Sequence, residues 1–263
     1  MKSILDFARA KAEGHPIVMV AAYDALMARM LAASEVDAVL VGDSVAMTVH
    51  GFPSTVHATM DMMETHVAAV RRGGPGLFIV ADLPFLSVRQ GCPAAVSNAG
   101  RLIAAGADAV KVEGVTGHAD ILAHLVGSGI PVMGHLGLTP QSVHQLGGHR
   151  VQGRSVEAQA RITAEAQALA ATGAFALVLE CVPADLAPAI ARDLAIPTIG
   201  IGAGPGTDGQ VLVLPDLLGW DAEFRPRFAR RYADGHAAAL AAVNAFARDV
   251  RAARFPAPEE VPA

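Results

Sequence analysis

Short apolar runs recur along the chain, each followed by a longer stretch of helical character. The runs are Ile17–Ala21, Ala38–Val41, Leu77–Ala81, Ala109–Val112, Pro131–Gly134, Ala176–Leu179 and Thr198–Ile201. They lack strict polar alternation, which is the pattern of strands covered on both faces in a parallel sheet. The intervening stretches predict helices over Ala22–Ala33, Met60–Arg72, Ala94–Ala105, Asp120–Ser128, Val156–Thr172 and Ala184–Leu194. Thr59 and Ser155 suit helix N-caps, Pro93 a first turn, and Gly106 and Gly173 helix C-caps. A βα unit repeating about eight times in roughly 250 residues predicts a (β/α)8 TIM barrel. The eighth strand is expected at Val211–Leu214, and an open doubly wound sheet is the alternative. No composition break or linker divides the chain, so a single catalytic domain over 1–263 is expected. Residues Glu223–Arg254 read as extra C-terminal helices, and 256–263 as a loose tail. The stretch Gly137–Arg154, rich in Gly, His and Gln, is long for a connection, and long ordered loops are often functional.

Composition narrows the classes. At 52% hydrophobic and 17% charged over 263 residues, the chain buries a substantial core and is not a disordered protein. A net charge of −5 gives no footprint for nucleic acid or an anionic membrane. The short basic runs Arg71–Arg72 and Arg225–Arg231 read as solvated faces. Two cysteines, Cys92 and Cys181, are too few for a disulfide framework. The charged start (Asp6, Arg9, Lys11, Glu13) does not resemble a signal peptide, and no apolar run is long enough to span a bilayer. The expectation is a cytoplasmic protein.

The chemistry lies at the strand ends. Asp43 and Ser44 follow the second run, Asp82 the third, His135 the fifth and Glu180 the sixth. Lys111 and Glu113 stand two apart on the fourth, so strand alternation turns both to one side. Each alone has a plain reading: a turn or cap residue, a structural ion pair, a core histidine, or for Cys181 an inert small side chain. Together they form a polar rim at the end of the barrel where TIM-barrel active sites are built. Neighbouring buried carboxylates repel unless a cation offsets them, and carboxylates completed by water suit a hard ion such as Mg²⁺. No Cys-x-x-Cys pair or His-Glu-x-x-His helix suggests zinc. His144 and His149 are placed to approach His135 only through the long loop. The glycine-rich stretch Gly200–Gly206 reads equally as a backbone phosphate cradle or as tight turns and close packing.

Several runs are more specific. Val41–Ser44 (VGDS), Gly129–Val143 (GIPVMGHLGLTPQSV), Val151–Arg154 (VQGR), Val178–Pro183 (VLECVP), Ile196–Gly204 (IPTIGIGAG) and Asp208–Val213 (DGQVLV) stand in order along the chain. In these runs the chain strongly resembles the ketopantoate (3-methyl-2-oxobutanoate) hydroxymethyltransferase family, from about the first strand to Gly219. The resemblance implies a TIM barrel of the phosphoenolpyruvate/pyruvate superfamily, usually a homodecamer. It also implies transfer of a one-carbon unit from 5,10-methylenetetrahydrofolate to 3-methyl-2-oxobutanoate, giving 2-dehydropantoate for pantothenate and coenzyme A biosynthesis. It places Mg²⁺ on Asp43, Asp82 and Glu113, and the 2-oxoacid on Asp43, Ser44, Asp82 and Lys111. Glu180 matches the family's catalytic base, and His135 a residue lining the substrate pocket. Ala46, Thr65, Val88 and Thr207 depart from the usual glycine, two tyrosines and cysteine. The competing readings are a Mg-dependent carbon–carbon lyase of the isocitrate-lyase type, many of which use a catalytic cysteine loop, and a non-catalytic ligand-binding barrel.

Overall fold

The computed structural model describes residues 3–261. Eight strands close into a barrel in chain order: β1 (Ile17–Ala21), β2 (Ala38–Val41), β3 (Phe78–Asp82), β4 (Ala109–Glu113), β5 (Val132–Gly137), β6 (Ala176–Glu180), β7 (Thr198–Ile201) and β8 (Gly209–Val213). Every registered neighbour pair is parallel. The TIM barrel is therefore the fold, and the open sheet is excluded. The chain falls into two compact units that divide after Leu212, and the barrel strands, all but Val213 at the end of β8, lie in the first. Among the described residues no helix is long and apolar enough to cross a membrane.

The strands start nearly where the apolar runs start, but β3, β4 and β6 each run one residue further, to Asp82, Glu113 and Glu180, and β5 runs on to Gly137. Ladder hydrogen bonds use backbone groups alone, so pairing continues past the last buried apolar side chain into the polar rim. β8 begins at Gly209, two residues before the predicted run. A Cβ on Gly209 would lie 2.4 Å from the Ile17 carbonyl, so β1 and β8 approach too closely there for a side chain. Helices form where predicted, with ends set by their caps. Asp24, Thr59 and Ser155 each accept a backbone N–H three residues on.

A helix the apolar pattern did not announce, Ile4–Glu13, lies at the barrel's N-terminal end. Its fully buried Phe7 packs against Phe78 and Phe175, with ring centroids 5.2 Å from each. Its Lys11 reaches Asp208 at 2.8 Å. Three aspartates seal this end. Asp37, Asp108 and Asp208, placed just before β2, β4 and β8, accept the N–H groups of Val18, Ile79 and Thr198, which belong to the strand preceding each. Arg71 joins them, donating to Asp108 and to the carbonyls of Gly106 and Leu77, so it is a structural clamp rather than a solvated charge. In the second unit the expected helices reduce to one main helix, Gly235–Arg251, and residues 223–234 are irregular. A single helical turn follows at Pro258–Glu260, within the expected tail; residues 262 and 263 of that tail lie outside the described residues.

Candidate active site

Register brings the polar strand ends together. Asp82 on β3 pairs with Lys111 on β4, and Glu113 on β4 pairs with His135 on β5. Paired residues on neighbouring parallel strands leave the sheet on the same side, about 4.8 Å apart. Glu180 stands two residues beyond Val178, which pairs with His135, so it joins the same face. Asp43 and Ser44 open the loop after β2. Asp43, Asp82, Lys111, Glu113 and His135 are all buried, and Glu180 is partly open.

The contacts form one connected cluster. Lys111 Nζ lies 3.1 Å from Asp82 Oδ1, so the ammonium pairs across strands with Asp82 rather than with Glu113 on its own strand. Asp82 Oδ2 accepts the Asp43 N–H at 3.0 Å. His135 places Nδ1 3.5 Å from Glu113 Oε1 and Nε2 3.3 Å from Glu180 Oε2. Ser44 Oγ is 2.7 Å from the hydroxyl of the fully buried Tyr23, and His66 Nδ1 donates to the Tyr23 carbonyl at 2.6 Å. Sequence reading missed Tyr23 as a support for Ser44. It also missed Gln141, the most connected residue of the long loop. Its side-chain nitrogen donates to Asp43 Oδ2 at 2.8 Å and to the Leu83 carbonyl at 3.0 Å, while its backbone N–H donates to Glu113 Oε2 at 3.0 Å. The signal was present, since Gln141 lies inside both the long loop and the TPQS run. The other loop residues singled out, His144 and His149, are exposed and stand apart from buried His135.

Burial sets the electrostatics. It raises the Asp43 carboxyl well above its ordinary range, helped by Asp82 and Glu113 and opposed by Lys111 and Gln141. Burial also raises Asp82, with Lys111 opposing most strongly. For Lys111, burial opposes the charge, but Asp82, Glu113 and Asp43 outweigh it and the ammonium persists. Burial and Lys111 work against a charged His135, yet the facing carboxylates of Glu113 and Glu180 raise its pKa to about 9. Lys111 Nζ lies 3.2 Å from His135 Nδ1, a contact that suits a bare nitrogen. The carboxylates facing both ring nitrogens are the cause of this upward shift. Cys181 is pushed up to about 11, by burial and then by Glu180. It is therefore a thiol at neutral pH, in keeping with an inert small side chain.

Two backbone features aim Glu180. Cys181 has φ 47, in the left-handed region that residues other than glycine seldom occupy, and this turns the chain sharply after the carboxylate. Gly137 has φ 91, and a Cβ there would lie 2.2 Å from the Glu180 carbonyl oxygen. Leu138 N–H donates to that same carbonyl at 2.8 Å, fixing the end of β6 to the start of the long loop.

A hard divalent cation fits this cluster. Three buried carboxylates face one ammonium, all their donors are oxygens, and Asp82 Oδ1 is buried with no hydrogen bond aligned on it. Asp43 and Asp82 are adjacent, whereas both Glu113 oxygens are engaged, by Gln141 and His135. Among the described residues no group of three or more acidic, histidine or cysteine side chains is placed to hold a metal ion, so the protein's own share would be the Asp43–Asp82 pair, with water as the remaining ligands. The glycine-rich stretch after β7 is accounted for by close packing. Cβ atoms on Gly204 and Gly206 would lie 2.8 Å from Ala184 Cβ and 2.7 Å from Pro188 Cβ. Of the departures from the family pattern, Thr207 secures this loop through Gly209 and Gln210, Ala46 is buried and Thr65 is exposed on its helix.

Solved structures of similar fold include a phosphonopyruvate hydrolase complexed with oxalate and Mg²⁺. It has a TM-score of 0.65 and 14% identity, covering 100% of this chain and 92% of that one. A 2,3-dimethylmalate lyase of the PEP mutase/isocitrate lyase superfamily has a TM-score of 0.60 and 17% identity, covering 100% and 93%. These likenesses show the fold. The profile of the family described as ketopantoate hydroxymethyltransferase matches residues 1–258. A 3-methyl-2-oxobutanoate hydroxymethyltransferase of Legionella pneumophila (strain Lens) is 49% identical, over 97% of this chain and 98% of its own length. Its counterpart from Bdellovibrio bacteriovorus (strain HD100) is 48% identical over 99% of both, and that from Francisella tularensis subsp. novicida (strain U112) 45% identical over 98% of both. Fold, strand-end cluster and near full-length identity agree: the chain is an enzyme that belongs to the ketopantoate hydroxymethyltransferase family.

Proposed function

We propose that the chain transfers a one-carbon unit from 5,10-methylenetetrahydrofolate to carbon three of 3-methyl-2-oxobutanoate, giving 2-dehydropantoate. The observation that carries this reading is the buried cluster in which Asp43, Asp82 and Lys111 adjoin the His135–Glu180 pair. Asp43 and Asp82 would hold Mg²⁺, with Glu113 reaching it through water. When bound, Mg²⁺ supplies Lewis acidity that draws charge from the keto group and acidifies the carbon-three C–H. The similar fold solved with oxalate and Mg²⁺ supports this metal for a small 2-oxoacid-like ligand.

The chain's own groups then act in order. Lys111 and Ser44 bind the ketoacid oxygens, with Lys111 offsetting their negative charge. Glu180, oriented by His135 Nε2, takes the carbon-three proton as general base, and the C–H electron pair passes into an enolate. One carbon–nitrogen bond of the folate's methylene bridge opens as that nitrogen takes up a proton, and the enolate carbon attacks the resulting iminium carbon to form the new carbon–carbon bond. Water then bonds to the same methylene as its remaining carbon–nitrogen bond breaks, the proton passes to that nitrogen, and the hydroxymethyl product and tetrahydrofolate separate. Burial of the cluster keeps bulk water from competing for the enolate.

We also propose a cytoplasmic, self-associating protein, a homodecamer on the family pattern. The helix Gly235–Arg251 supports the association. It buries none of its residues, and Leu240, Val243, Phe246 and Val250 are all exposed large apolar side chains on it.

The deciding experiment assays 2-dehydropantoate from ketoacid, methylenetetrahydrofolate and Mg²⁺, omitting each in turn. No product from the complete mixture overturns the proposal. Glu180→Gln should still bind the ketoacid but lose exchange of the carbon-three proton with solvent deuterium by about 10²-fold or more. Undiminished exchange removes Glu180 from the base role.

A further inference from the structure

Past Glu113 and Gln141 the rim opens into a cleft walled on one side by the loop that follows β3. That loop leaves Phe85 and Leu86 42% and 47% exposed at the cleft, and Leu86 adopts φ 63 there. Val88 lies deeper in the lining. The polar groups are sparse and specific. His118 is 2% exposed, and its Nδ1 lies 3.2 Å from the Thr116 carbonyl, which can only accept, so Nδ1 carries the hydrogen. Burial and the Arg89 guanidinium lower its pKa, which keeps the ring neutral. Its Nε2 is then a bare acceptor, buried and without a partner. Leaving such an acceptor unpaired is unfavourable, and a ligand N–H would remove that penalty. Arg89 donates to the Thr116 carbonyl at 3.1 Å, is itself exposed, and makes no ion pair among the described residues.

We infer that this cleft docks the one-carbon donor, a reduced pterin joined through an aminobenzoyl group to an anionic tail. The inference rests on the hydroxymethyl transfer proposed above. His118 Nε2 accepts an N–H from the pterin edge, and Phe85, Leu86 and Val88 cover the flat rings. Arg89 meets a carboxylate of the tail. Glu113 and Gln141 border both the cleft and the carboxylate cluster, so a donor lying here presents its methylene beside the bound ketoacid.

Carbon-three proton exchange needs the ketoacid but not the folate, which separates this site from the reaction centre. Arg89→Ala and His118→Phe are measured beside wild type and an exposed control, Arg192→Ala. We expect both cleft variants to raise the KM for methylenetetrahydrofolate about tenfold, the effect of one lost charge-assisted or buried hydrogen bond. Deuterium exchange at carbon three should stay at the wild-type rate, which also shows that the variants are folded. With a methylenetetrahydropterin lacking the aminobenzoyl tail, the Arg89→Ala penalty should vanish while that of His118→Phe persists. Unchanged folate KM in both variants, or loss of exchange along with it, overturns the cleft assignment. Wild type with neither exchange nor product overturns the hydroxymethyl transfer itself, and the cleft assignment with it.

Discussion

At the scale of single residues the site depends on side chains whose charges are set by burial. His135 is the clearest case, since its pKa is raised from 6.5 to about 9 chiefly by Glu113 and Glu180 against burial and Lys111. A group with a raised folded pKa adds stability that is full below the unfolded pKa and lost as pH rises through the folded one. In metal-free buffer the chain should therefore lose about 3 kcal/mol of unfolding free energy between pH 6 and pH 9.5. The raised Asp43 carboxyl contributes with the same sign, at lower pH. Urea unfolding of wild type and His135→Gln in EDTA measures this, and an equally steep decline in the variant would refute the assignment. Asp43, Asp82, Lys111, Glu113, His135 and Glu180 were legible one by one as polar residues ending apolar runs. Gln141 was marked only by its place in the long loop and the TPQS run, because its role comes from loop conformation rather than from any strand period.

At the scale of elements, β5 and β6 carry the most consequence. The ladder extends to Gly137 opposite Glu180, and the close approach there leaves no room for a Cβ. Gly137→Ala combines a positive φ with a contact to backbone that cannot move cheaply, so it should cost about 3 kcal/mol of stability. It should also slow carbon-three exchange at least tenfold by shifting Glu180 (roughly the cost of misplacing a catalytic group). Thermal melts and the exchange rate of the folded variant check both, and wild-type exchange would show that Gly137 does not position the base. Strand order was legible from the apolar runs, whereas strand ends and register were not. Hydrophobicity reports which residues are buried, but pairing is decided by backbone groups that every residue carries.

At the scale of the molecule, the barrel unit places its chemistry at one end and closes the other. Phe7 and the aspartates before β2, β4 and β8 fill the closed end, which leaves the opposite rim to bear the buried charges. In the second unit, Leu240, Val243, Ala247 and Val250 recur at a spacing near 3.5 residues along Gly235–Arg251, the seam of helices that pack on one another. Leu240→Asp combined with Val243→Asp should break the assembly into smaller species, read by light scattering after size exclusion. An assembly of unchanged mass would remove this helix from the interface.

From the sequence alone one could determine the eightfold strand–helix alternation, the polar identity of each strand end and, through collinear motifs, the family. Those features are local: a burial period, a residue after a run, a string of neighbours. Tertiary structure alone decided that Lys111 pairs with Asp82 rather than with Glu113, that Gln141 ties Asp43 to Glu113, and that a neutral His118 faces a cleft beside them. These are contacts between elements tens of residues apart. Their partners are set by register, by loop path and by the cost of burying an unpaired charge, and none of these leaves a period in the chain.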